Sequence, residues 1–186
     1  MGRRLLPWIA AGLLALPAWG FDAAHTLPAT GTVELAFTPD EAADRRVIRA
    51  IDGARRQVLV QAFSFTHEKI ADALIRAKQR GVAVEIIADA EQTEKIPTTQ
   101  IPRLAAARIP VYLDREHGAA HNKVMVVDLG DPQAAVVTGS YNFTHAAQYR
   151  NAENLLVLRG NLPLTEAYVR NWQRHRLHAL PYNPRP

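Results

Sequence analysis

His-Asn-Lys-Val-Met-Val-Val-Asp at 121–128, a polar turn over 129–133, and Ala-Ala-Val-Val-Thr-Gly-Ser-Tyr-Asn-Phe-Thr at 134–144 decide the reading of the chain. Residues 123–127 and 134–138 are apolar, β-branched runs with polar bounds, which predicts two adjacent strands joined by the turn at Gly130-Asp131-Pro132. Side chains alternate across a strand, so His121 and Lys123 share one face and Asp128 takes the other. Ser140 and Asn142 obey the same parity after Gly139, whose missing Cβ permits a turn or a close backbone approach. Neighbouring strands would bring the two pairs together as an imidazole, a fixed cation and two neutral donors. Such a set suits a phosphate diester: donors and a cation for the non-bridging oxygens, and a histidine to attack phosphorus or protonate the leaving oxygen. Glu153 is placed either to hold the imidazole in one tautomer or to be a plain surface carboxylate before the next strand.

Working outward, the chain alternates strand and helix. A strand over 32–37 precedes a helix that starts at Thr38 or Asp40 and ends at Gly53. A long strand over 57–65, apolar on both faces, reads as central. An amphipathic helix over 67–79, a strand over 82–88, a polar turn-rich stretch over 89–100, a helix over 101–107 and a strand over 111–113 follow. After the motif strands come a loop over 144–150, a strand over 154–158 and a last helix from near Pro163. The order predicts an α/β fold, a single domain with a mixed, largely parallel β-sheet flanked by helices.

The first residues combine Arg3 and Arg4, an apolar segment from Leu5 to Pro17 and small residues at 18 and 20, the parts of a secretory signal peptide cleaved near Gly20. The expected organisation is a signal at 1–20, a leader at 21–31, one domain at 32–180 and a tail at 181–186, in a periplasmic or secreted protein. The chain has no cysteine, which excludes disulfides and thiolate metal sites and leaves stability to the core. The formal net charge of +4 falls to about +2 without the two leading arginines, so nucleic-acid binding must rest on a local patch.

At the motif residues the chain resembles the phospholipase D superfamily, whose signature is His-x-Lys-(x)4-Asp followed by Gly-Ser-x-Asn. Here these are His121, Lys123 and Asp128, then Gly139, Ser140 and Asn142, with Glu153 where the small nuclease members carry a histidine-orienting glutamate. The size and order of elements from about Thr32 to His175 resemble the short bacterial endonucleases with a single motif. The resemblance implies the phospholipase D/nuclease fold and a double displacement in which one histidine attacks phosphorus and a second protonates the leaving oxygen. Because the chain carries one such motif, the expected active form is a homodimer whose axis brings two His121 residues together. Lys123, Ser140 and Asn142 would bind the phosphoryl oxygens, Glu153 would orient His121, and no cofactor or metal is expected. Asp128, on the opposite strand face, reads as structural, bonding backbone in the following turn.

Among other residues, His25, His175 and His178 read as solvated, and His117 and His145 as flanks of a substrate groove. The basic run Arg45, Arg46, Arg49, Arg55 and Arg56 reads first as a solvated face, with a DNA-backbone contact as the minor option. Tyr141, Phe143 and Tyr149 are candidates for stacking on bases, Phe143 equally for the core. The expected function is a sequence-nonspecific endonuclease acting on DNA or RNA without stable membrane association. The alternatives are a phospholipase D-type hydrolase of lipid head groups and a noncatalytic nucleic-acid-binding protein.

Overall fold

In a computed structural model, residues 26–183 are described; the expected signal at 1–20, His25 and the last tail residues lie outside the described residues. β1 (Thr32–Thr38) leads into α1 (Ala43–Asp52), which buries Ala43, Val47, Ala50 and Ile51 along one face. β2 (Gln57–Ala62), α2 (Glu68–Gln79) and β3 (Ala83–Asp89) follow. Next come α3 (Ala90–Lys95), α4 (Ile101–Ala106) and β4 (Val111–Asp114). β5 (Lys123–Val127) and β6 (Ala135–Gly139) are the motif hairpin. The chain then runs through α5 (His145–Tyr149), β7 (Glu153–Arg159), α6 (Leu162–His178) and β8 (Leu180–Pro181).

All eight strands form one sheet in the order β1-β7-β6-β5-β2-β3-β4-β8, so the mixed α/β class and the central place of β2 agree with the sequence reading. Its parallel part is smaller than the alternation of elements implies: only β2–β3 and β3–β4 pair in parallel, and the other five pairings are antiparallel. The difference lies mainly in β1, which does not join β2 through α1 but pairs antiparallel with β7 at the far edge. Its side chains explain this, since Val33, Leu35 and Phe37 are exposed, whereas β2 is apolar on both faces and requires neighbours on both sides.

One sheet face packs on α1, α2 and α4 in the main core, which contains Val47, Ile51, Ile70, Leu74, Leu104, Val58, Val60 and Met125. The other carries Leu59, Ile87, Val124 and Val126 under Val169 and Trp172 of α6, and the Trp172 indole donates to the Val60 carbonyl at 3.0 Å. Two stretches expected as loops hold short helices, each capped by a side chain: Asp89 accepts from the Gln92 N–H and Thr144 from the Ala147 N–H. α1 begins at Ala43, later than the caps proposed at Thr38 or Asp40, and has no side-chain cap. In the tail, Leu180 and Pro181 pair with β4 as β8.

Candidate active site

The antiparallel β5–β6 hairpin sets Lys123 at the start of one strand and Gly139 at the end of the next. Lys123 is buried; its ammonium donates to the His121 carbonyl at 2.7 Å and lies 4.9 Å from the centre of the Phe63 ring. Burial pushes the ammonium below its ordinary range, while Glu153 pulls in the opposite direction. The exposed His121 ring rests on the same Phe63, with ring centres 4.4 Å apart. A single phenyl ring therefore lies against both the imidazole and the cation.

Gly139 has φ +140°, and a Cβ there would sit 2.2 Å from the Asn154 carbonyl oxygen. Only glycine lets β6 pass this close to β7 and turn Ser140 toward the site. The Ser140 hydroxyl donates to Glu153 Oε2 at 2.6 Å and accepts from the Asn154 N–H at 3.0 Å. Glu153 Oε1 accepts from the Asn151 amide at 3.0 Å. The carboxylate is thus held by Ser140 and Asn151; among the described residues no hydrogen bond joins it to His121, and its link to the motif cation is through space. Asn142 Oδ1 is buried with no hydrogen-bond partner among the described residues.

Asp128 stands apart from this group. It is buried with φ +52°, and its carboxylate accepts the backbone N–H groups of Arg55, Arg56 and Gln57 at 2.8, 2.8 and 2.9 Å. Its role is structural in kind, but the backbone it holds is the entry to β2 rather than the turn that follows Asp128. Of the aromatic candidates, Tyr141 and Phe143 are fully buried in the core, which removes them from base stacking. Tyr149 is exposed and packs on His145, with ring centres 4.4 Å apart. These two line a cavity of about 400 Å³ with Thr66, His67, Glu68, Lys69 and Thr98.

His67, which the sequence did not single out, is buried under that cavity with Nε2 3.6 Å from Asp44 Oδ2. Burial lowers its pKa, Asp44 pulls it back up and His145 pushes it further down. The basic run is largely a solvated face: Arg46 and Arg49 pair with Glu34, and Arg56 donates to the Leu129 carbonyl. His175 and His178 are not on a solvated face as expected; with His117 they converge on buried Asp114.

Comparison with known proteins agrees with this geometry. Residues 47–176 match the family described as cardiolipin synthase, PLD-like domain. The chain belongs to the phospholipase D superfamily and is a phosphodiesterase of that class. Among solved structures it is similar to Nuc, a phospholipase D family member from Salmonella typhimurium, at 33% identity and TM-score 0.75, covering 82% of this chain and 99% of that one. NucT from Helicobacter pylori matches at 25% identity and TM-score 0.73, covering 81% and 99%. A phospholipase D of Rickettsia felis is 36% identical over 140 residues, 75% of this chain and 67% of the relative. The mitochondrial cardiolipin hydrolase of Xenopus laevis is 32% identical over 135 residues, 73% of this chain and 61% of the relative.

Proposed function

We propose that the protein is an exported endonuclease that hydrolyses DNA phosphodiesters without a divalent metal at the reacting phosphate, in an active site shared by two copies of the chain. The observation that carries this reading is the exposed His121 imidazole and the buried Lys123 ammonium, both against the Phe63 ring, with the ammonium bonded to the His121 carbonyl. One His121 attacks phosphorus, forming a nitrogen–phosphorus bond. The leaving oxygen departs with a proton from His121 of the partner subunit, which then takes a proton from water as that water opens the phosphohistidine. The Lys123 ammonium and the Asn142 side-chain amide offset the charge that gathers on the phosphoryl oxygens, joined by the Ser140 hydroxyl once its proton turns from Glu153 to the phosphate.

Two features support the dimer. The chain contributes one motif histidine where the chemistry uses two. On the sheet edge, Val33, Leu35 and Phe37 are 57, 47 and 57% exposed, the first two in register with Leu158 and Leu156 of β7, an apolar strip suited to a second copy. The N-terminal signal-like segment supports action outside the cytoplasm.

A nucleic-acid substrate is favoured by the likeness to Nuc and NucT over nearly their whole chains. Hydrolysis of phospholipid head groups is the second reading, favoured by the names of the Rickettsia and Xenopus relatives. Purified protein is incubated with supercoiled plasmid in excess chelator, beside His121→Ala and beside cardiolipin vesicles. Plasmid cleavage by the wild type alone is the expected result. An intact plasmid with head-group release from the vesicles transfers the assignment to the second reading, and an active monomer in sedimentation overturns the shared site.

A further inference from the structure

Asp114 ends β4 with its side chain fully buried, and three imidazoles converge on it. His117 Nδ1, His175 Nδ1 and His178 Nε2 lie 3.0, 3.2 and 3.1 Å from the same oxygen, Oδ2. Oδ1 is already taken by the backbone N–H groups of Glu116 and His117. His117 Nδ1 is also 3.1 Å from Oδ1, so the carboxylate, with about four lone-pair sites, faces five nitrogens: two backbone N–H groups and three imidazoles. The crowding is also electrostatic, since the four candidate ligand atoms all lie within 4.8 Å of one another and three N–H dipoles would point at one spot.

A cation at that spot resolves both problems, because each imidazole then presents a lone pair instead of a proton. With bonds of about 2.0–2.1 Å, a tetrahedral zinc site separates its ligand atoms by roughly 3.3 Å. The three contacts to Oδ2 are already near that edge length, and the remaining ligand-atom separations are at most 4.8 Å. His175 and His178 lie three apart on the last turn of α6, which puts them on one face. His178 Nδ1 lies 3.6 Å from Glu116 Oε2, the outer carboxylate that commonly fixes a metal-bound imidazole.

We propose that Asp114, His117, His175 and His178 bind one transition-metal ion, zinc by ligand type, which locks the loop leading to His121 onto the end of α6. The ligands are three nitrogens and one oxygen with no sulfur, a set that suits zinc. His117 precedes His121 by four residues, and the cluster joins that loop to the last turn of α6. The ion is structural, and no step of the phosphodiester chemistry passes through it.

The test uses the full chain, dialysed against chelator, gel-filtered and titrated with zinc chloride, with metal content, melting temperature and the visible spectrum of the cobalt form as readouts. One zinc per chain, a higher melting temperature in zinc and the intense visible bands of four-coordinate cobalt are expected. His117→Ala and His178→Ala each weaken zinc binding by about 100-fold or more and abolish the thermal shift, whereas Glu116→Gln weakens it by about 10-fold. His121→Ala binds zinc as the wild type does, which separates this site from the catalytic one. Wild type that retains no zinc and shows no thermal shift overturns the proposal, as does undiminished binding by the His117 and His178 variants. Neither result bears on plasmid cleavage by His121.

Discussion

Replacing Asp128 with asparagine separates a structural aspartate from a catalytic one. The wild-type carboxylate accepts three backbone N–H groups, two on Oδ1 and one on Oδ2. Asparagine keeps one oxygen and tolerates φ +52°, so the backbone conformation survives. With its oxygen toward Arg56 and Gln57, its amide N–H₂ faces the Arg55 N–H, and that part-buried donor loses its acceptor. Two further bonds lose their charge. A hydrogen bond to a charged group contributes about 1.5–3 kcal/mol and an orphaned buried donor costs about 1–3 kcal/mol, so Asp128→Asn is expected to destabilise by about 2–4 kcal/mol. Asp128→Ala orphans all three donors and adds about 1–2 kcal/mol of left-handed backbone strain. Urea unfolding followed by circular dichroism gives the stability, and turnover is normalised to the folded fraction. Turnover of folded Asp128→Asn is expected to stay within a few-fold of wild type. Wild-type stability combined with a turnover lowered by about 100-fold, the scale of a lost acid–base group, would refute the structural assignment.

Gly139→Ala places a Cβ 2.2 Å from the Asn154 carbonyl at a φ that side chains rarely adopt, and is expected to destabilise by about 3 kcal/mol or more in a thermal melt; a wild-type melt contradicts the account of the β6–β7 approach. His67 has a folded pKa below its ordinary value of 6.5, chiefly through burial. The unfolded chain therefore binds the proton more tightly, and stability falls as pH drops from 6.5 toward the folded value, with a slope of at most about 1.4 kcal/mol per pH unit. His67→Gln removes that component, and difference curves of urea midpoint against pH that stay flat below 6.5 would contradict it.

The motif hairpin was legible because everything that defines it is local. Two apolar runs, a Gly-Asp-Pro turn and strand parity predict β5, β6 and the shared face of His121 and Lys123 without reference to distant residues. What escaped depended on distant partners or on caps within polar sequence. β1 reads like any strand before a helix, yet its place is set by β7, whose Arg159 pairs with Thr32. The short α3 and α5 have no apolar stripe, although Asp89 and Thr144 carried recognisable cap signals three residues before the N–H groups they accept. His175 and His178 look like solvated helix residues until α6 folds back on Asp114, 61 residues before the first of them. Asp114-x-x-His117 and His175-x-x-His178 were each readable as a pair of ligands; their union was not.

The site also shows how a motif made of one exposed histidine and mobile polar side chains is kept rigid. Stabilising charge that appears only in a transition state requires donors fixed beforehand, to within about 0.5 Å of the productive geometry. Three carboxylates supply that restraint around β5 and β6. Asp89 accepts the Ala120 N–H at 2.9 Å, fixing the residue before His121 to the end of β3. Asp128 ties the far end of β5 to the entry of β2, its neighbour in the sheet. Glu153 holds the Ser140 hydroxyl from β7. Each restraint ties a residue at or next to an end of a motif strand to a different strand of the sheet, β3, β2 or β7. Asp128 and Glu153 can thus accompany the histidine and lysine for different reasons: Glu153 sets the field and the serine, and Asp128 sets the position of the strand that carries the cation.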